Sequence, residues 1–80
     1  MKLWMGNIAP GTSDEELREL IGKYGGQAEV LSVQRVADDG PRPGAILDIA
    51  ATTETMFRLT QRLNGMHWKG LSLTVQSMTR

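Results

Sequence analysis

His67 is the single histidine of an 80-residue chain that has no cysteine. That combination removes thiolate metal sites, disulfide frameworks and multi-histidine metal centres together. No serine or cysteine nucleophile with a second titratable partner can be recognised beside His67, so it is expected to be a loop residue without catalytic duty. Asp14, Glu15, Glu16 and Glu19 are near enough for paired-carboxylate work. That chemistry needs a cleft that perturbs their pKa, however, and their spacing suits the solvated first turns of a helix better. What remains is the chemistry of recognition. Trp4 offers a flat π face, Lys2 and Arg42 offer positive charge, and Thr74 and Gln76 offer side-chain hydrogen bonds. The expectation is a non-catalytic binding module with no metal and no cofactor.

Five groups of turn residues, Pro10-Gly11, Gly25-Gly26, Gly40 to Gly44, Asn64-Gly65 and Gly70, divide the chain into six segments. Leu3 and Met5 alternate with Lys2 and Trp4, which predicts a strand over residues 2–7 with Trp4 on the opposite face from its apolar neighbours. Ser13-Asp14-Glu15-Glu16 is a capping box, and Leu17, Leu20, Ile21 and Tyr24 continue it at helical spacing until Gly25. Residues 29–36 predict a second strand, in which Arg35 spoils a clean alternation and leaves the facing open. After the Asp38-Asp39-Gly40-Pro41 turn, Ala45, Leu47 and Ile49 give a third strand that faces inward and pairs with the second in a hairpin. Thr52 or Thr53 caps a second helix carrying Met56, Leu59, Thr60 and Leu63, and Leu71, Leu73 and Val75 give a fourth strand.

The order β-α-β-β-α-β is two βαβ halves. Right-handed crossovers place both helices on one face of a four-stranded antiparallel sheet, an α+β ferredoxin-like split βαβ sandwich. The other face is left bare, with Trp4 at its centre and Lys2, Arg42, Thr74 and Gln76 around it. The alternative for Trp4 is packing beneath the chain's own tail, residues 77–80. Tyr24 and Trp68 are expected in the core. Phe57 lies off its helix's apolar stripe and suits the sheet edge or a partner interface.

Nine Lys+Arg balance nine Asp+Glu, so nucleic-acid binding cannot rest on bulk charge and must come from local geometry. The balance is uneven: residues 1–40 hold four bases and seven acids, residues 41–80 five bases and two acids. The strand-3 to strand-4 side is therefore the side expected to suit an anionic ligand such as nucleic acid, and the acidic first helix the side expected to suit a protein partner. Residues 1–80 are expected to form one domain, because a chain of this size buries only roughly 60–65 % of its unfolded surface and needs its apolar residues for a single core. The first five residues meet Gly6 and Asn7 too early for a signal peptide, and no stretch approaches a membrane span. The expected address is the cytoplasm, away from membranes.

Leu3-Trp4-Met5-Gly6-Asn7-Ile8 resembles the six-residue motif on the first strand of the RNA recognition motif (RRM) family, aliphatic-aromatic-aliphatic-x-Asn-aliphatic. The likeness covers nearly the whole chain. Ser13 to Gly25 resembles the first RRM helix with its closing Tyr-Gly. Leu63-Asn64-Gly65, Trp68-Lys69-Gly70 and Leu73-x-Val75 are similar to the family's closing motifs. The strand-3 octamer departs: Arg42-Pro-Gly-Ala-Ile-Leu-Asp-Ile49 matches at Arg42, Ala45 and Leu47. Gly44 and Ile46 stand where the family displays stacking rings, and Ile49 replaces a core aromatic. The resemblance implies a stand-alone module like the short single-RRM proteins of bacteria. Its binding residues would be Lys2, Trp4, Asn7, Arg42, Gly44, Ile46, Thr74 and Gln76, and its partner single-stranded RNA or, through the same contacts, single-stranded DNA. Binding is expected to be weak, since each base–aromatic stack contributes about 1–3 kcal/mol and two platforms are missing. Restoring them, by Gly44→Phe with Ile46→Phe, is expected to strengthen it. Asp48 on the same face is expected to limit affinity for phosphate.

Two other functions compete. A protein-interaction domain would give the sheet or the acidic helix to a partner. Some splicing-factor relatives take a partner's Trp beside an Arg-x-Phe loop, but here that loop is Met66-His67-Trp68 and lacks the Arg. An acylphosphatase-like enzyme would need an Arg in a phosphate-cradling loop after strand 1, and Asn7-Ile8-Ala9-Pro10-Gly11 has none.

Overall fold

The computed structural model describes residues 1–37 and 40–78; the expected Asp38-Asp39 turn and the Thr79-Arg80 end of the tail lie outside the described residues. Its elements are β1 (Lys2–Gly6), α1 (Asp14–Tyr24), β2 (Glu29–Val36), β3 (Gly44–Ala50), α2 (Thr53–Leu63), β4 (His67–Trp68), β5 (Leu71–Ser72) and β6 (Thr74–Met78). The four long strands form one antiparallel sheet in the order β2-β3-β1-β6. Leu17, Leu20 and Ile21 of α1 and Met56, Leu59 and Leu63 of α2 are buried in one cluster with Leu3, Met5, Leu47, Ile49, Leu73 and Val75. Both helices therefore cover the sheet face that carries Leu3 and Met5, leaving Trp4 on the other. Ile8, Val30 and Ala45 join this cluster, and Val33 packs against it partly buried. A leucine buried in this way contributes about 1.5–3 kcal/mol relative to an exposed one.

Local chemistry sets the helix starts. Ser13 Oγ accepts from the Glu16 amide at 3.1 Å and Glu16 Oε1 accepts from the Ser13 amide at 2.9 Å, completing the capping box. Thr52 Oγ1 accepts from the Thr55 amide at 3.1 Å and fixes the start of α2. No helix among the described residues is long and apolar enough to cross a membrane.

The facing of β2, open in the sequence, is decided by a bulge. Val30 pairs with Ile49 and Ser32 with Asp48, so Leu31 is an extra residue between them, and it is exposed. The bulge restores the alternation one residue later, which is why Val30 and Val33, three apart, both turn towards the helices. The Val30 carbonyl accepts from Arg18 Nη1 at 2.7 Å. Arg35 crosses to the start of α1, donating to Asp14 Oδ1 and the Thr12 carbonyl, each at 2.9 Å.

Two boundaries differ from the sequence expectation. β1 stops at Gly6 because Asn7 takes a left-handed backbone conformation, φ 58°. The fourth strand, expected from Leu71, is split. Leu71 and Ser72 pair with Trp68 and His67 around a turn in which Lys69 (φ 53°) and Gly70 (φ 85°) both have positive φ, the conformation of a type I′ hairpin. Leu73 donates to the Met66 carbonyl at 2.9 Å and accepts from the Gly65 amide at 2.7 Å. Pairing with β1 therefore begins only at Thr74.

Candidate nucleic-acid interface

The face opposite the helices is ordered by cross-strand register. Gln34, Ile46, Trp4 and Gln76 form one row across all four strands, and Ser32, Asp48, Lys2 and Met78 form the next. Val36 pairs with Gly44 and Gly6 with Thr74 at the adjoining end. Lys2, Thr74 and Gln76 are exposed, as expected, while Trp4 and Ile46 are half-buried. The Asp48 carboxylate lies among these groups with Oδ1 3.5 Å from the Met1 amino group.

Trp4 does not project straight out from the sheet. Its Cη2 lies 2.5 Å from where a Cβ on Gly44 would be, and its Cζ2 and Nε1 lie 3.2 Å from where a Cβ on Gly6 would be. The indole thus leans over both glycines and covers the place of the first missing ring. A ring at position 44 would therefore compete with the indole for the same space, and the Met5 carbonyl is 3.1 Å from the Cβ point. Residues 77 and 78, one suggested cover for Trp4, instead continue β6 beside Leu3 and Lys2.

The remaining expected residues are placed differently. Arg42 is exposed just before β3, at the Gly44 end of the face, and the Pro43 carbonyl beside it accepts from the Ile8 amide at 3.0 Å. Asn7 lies past the end of β1, and its Nδ2 donates to the Ser72 carbonyl at 2.8 Å. Its side chain is thus committed to holding the β4–β5 hairpin against the β1–α1 loop. The structure adds Gln34 and Gly6 to the face. Gly6 was reachable from the two-residue period of β1, whereas Gln34 became placeable only once the bulge at Leu31 was known.

Away from this face, Tyr24 and Trp68 pack against the core partly exposed. They line a recess of about 260 Å³ between α1 and the β4–β5 hairpin, together with Glu16, Glu19, Leu20, Lys23 and Lys69. The Lys69 ammonium, and after it the Ser13 amide, hold the Glu16 carboxyl below the usual glutamate range. No group of three or more His, Cys, Asp or Glu among the described residues could hold a metal ion.

Solved RNA-recognition domains share this overall fold. Over 99 % of this chain and 33 % of theirs, it superposes on the N-terminal three RNA-binding domains of the yeast splicing factor Prp24 (TM-score 0.80, 22 % identity). The third RRM of Pes4 matches over 99 % of this chain and 92 % of its own, with TM-score 0.81 and 13 % identity.

The chain has the RRM fold.

A third RRM structure, that of Rna15 with bound RNA (GU), matches at TM-score 0.76 and 16 % identity, covering 99 % of this chain and 83 % of its own. The chain spans about a third of the length of the Prp24 structure. No family model and no curated protein matches the sequence. In RRM terms, Leu3 to Ile8 occupies the first strand and the loop after it, and Gly44 and Ile46 lie side by side with Trp4 on the open face.

Proposed function

We propose that the chain is a non-catalytic RRM module that binds single-stranded RNA weakly through its open sheet face. One observation carries this reading: a tryptophan sits at the centre of a sheet face that no helix covers, flanked by Ile46 and Gln76 and next to the exposed Lys2. Trp4 stacks one base, Lys2 and Arg42 neutralise phosphate, and Thr74, Gln76 and Gln34 meet base edges. The RNA bound in the Rna15 RRM structure supports RNA as the class of ligand. Binding is weak because Gly44 and Ile46 provide no second or third ring, and because Asp48 places a carboxylate among the phosphate-binding groups. Stacking and phosphate contacts do not require a 2′-hydroxyl, so single-stranded DNA of matched sequence is a competing ligand.

An NMR chemical-shift titration with a mixed single-stranded RNA pool, repeated with matched DNA, tests the reading. Shifts gathered at Lys2, Trp4, Gln34, Ile46 and Thr74 uphold it. A titration without shifts on this face rejects it.

A protein partner is the second reading, favoured by Phe57. That ring is 60 % exposed beside an almost wholly apolar groove lined by Met1, Met56, Thr60 and Ser77.

A further inference from the structure

Glycine is disfavoured inside strands because it forfeits side-chain packing and loses more backbone entropy than other residues. Gly6 ends β1 and Gly44 begins β3, where that cost is smaller, but each leaves a position of the open face without a side chain. Neither needs glycine for its backbone, since neither is among the residues with positive φ. Both are buried although they lie on the face no helix covers. The Trp4 indole accounts for this: one edge of the ring, from Nε1 through Cζ2 to Cη2, lies against both glycines. Trp4 is correspondingly half-buried instead of standing free.

We infer that Gly44 and Gly6 form a seat that fixes the Trp4 indole as the one ring on the open face, so that the site stacks a single base of single-stranded RNA. Gly44 is thereby a positioning residue, which acts through Trp4 and needs no contact with RNA of its own. This inference rests on the RNA-binding reading above and narrows it. A tryptophan free to rotate would lose rotamer entropy when a base stacks on it. A seated one is placed in advance. In the row Gln34–Ile46–Trp4–Gln76 the Gln76 amide stands beside the stacked base on one side and the aliphatic Ile46 on the other, with the Gln34 amide one strand further out. A ligand with one base turned out of its stack fits this face better than a run of stacked bases.

The seat makes a graded forecast. A Cβ at residue 44 would meet Trp4 at 2.5 Å, which forces the ring to move, whereas one at residue 6 would meet it at 3.2 Å, which a small tilt relieves. The experiment records the indole N–H resonances of the 15N-labelled protein, with Trp68 as internal control, and titrates each variant with the mixed single-stranded RNA pool. In Gly44→Ala the Trp4 indole resonance should move strongly while that of Trp68 stays in place. RNA affinity should fall towards that of Trp4→Ala, a loss of roughly 5- to 150-fold if one stacked base is given up. Gly6→Ala should give the same changes at smaller size. In a Trp4→Phe background, whose ring has no Cη2, Gly44→Ala should change affinity less than about twofold, the non-additivity expected of two groups in contact.

Unchanged Trp4 resonances in Gly44→Ala, with RNA shifts intact in the parent protein, overturn the seat and leave RNA binding standing. A displaced indole with undiminished affinity overturns the link between seat and binding. Absence of any RNA shift in the parent protein refutes the RNA reading itself and this inference with it. Should Gly44→Ala fail to fold, the Gly6→Ala measurements decide by the same criteria.

Discussion

Lys69 Nζ lies 2.7 Å from Glu16 Oε2 and 3.3 Å from Thr12 Oγ1, which ties the β4–β5 turn to the first turn of α1. The same carboxylate also closes the capping box through Ser13. Glu16 therefore joins two parts of the chain far apart in sequence while its pKa is held low by the Lys69 ammonium. A carboxyl whose pKa is lower in the folded than in the unfolded state stabilises the fold above its unfolded value. That stabilisation is lost as the pH falls through the folded value.

The melting temperature should accordingly decline as the pH drops from about 5 into the acid range, in which glutamates titrate. Glu16→Gln should flatten that decline, since the amide cannot titrate. Calorimetric melts of both proteins across this range check the expectation, and parallel acid limbs would refute it.

Leu17 and Leu20 face the sheet from α1, with 0 % and 5 % of their surface exposed. Truncating either to alanine should cost about 2–5 kcal/mol, a large part of the stability of a domain this small. Leu17→Ala should be at least as damaging, because Leu20 also borders the open recess beside Trp68, where solvent and neighbouring side chains can fill part of the space. Chemical denaturation of the two variants tests the order as well as the size.

Regular periods made most of the fold legible. The i, i+3, i+4, i+7 stripe of α1, the Ser13 capping box and the alternation of β1 and β3 each specify a face, and the sheet closes on those faces. Legibility failed where one residue broke a period. Leu31 is an added residue in β2, and no composition rule distinguishes a bulge from an irregular strand. Likewise, Leu71 continues the alternation of Leu73 and Val75, but the positive φ at Lys69 and Gly70 folds it into a separate hairpin. On the candidate site, Trp4 was identifiable from its type and position. The tilt of its ring over Gly44 was not, since sequence spacing fixes which face a side chain takes but not its rotamer.

Ile46 is the position at which stacking can be added. It pairs directly with Trp4 and is half-buried on the open face, whereas position 44 is already covered by the indole. Ile46→Phe should therefore strengthen RNA binding by about 1–3 kcal/mol if a second base reaches it. Gly44→Phe should weaken binding by displacing Trp4. Titrations of the two single variants side by side separate these effects, and equal gains from both would show that the indole does not occupy the space above Gly44.

Charge on the open face gives the last expectation, because zero net charge forecasts little attraction for phosphate whereas Lys2 at one end of the face and Arg42 at the other forecast local attraction. Exposed charges are screened beyond about 8 Å at physiological salt, so groups bordering the ligand outweigh the total. Arg42 is exposed at the Gly44 end of the face, whereas Glu15 and Glu19 are exposed on α1, which packs against the other side of the sheet. Arg42→Glu should abolish detectable RNA binding, and Asp48→Asn should improve it, most at low salt, where the repulsion it removes is least screened. Reversing Glu15 and Glu19 to lysine should alter RNA affinity little. Glu16 is left in place in this comparison because its reversal would break both the capping box and the Lys69 ion pair, confusing lost structure with lost charge. Affinities measured at two salt concentrations decide the matter: a larger effect from the α1 reversals than from Arg42→Glu would move the functional surface to the helix and favour a protein partner over RNA.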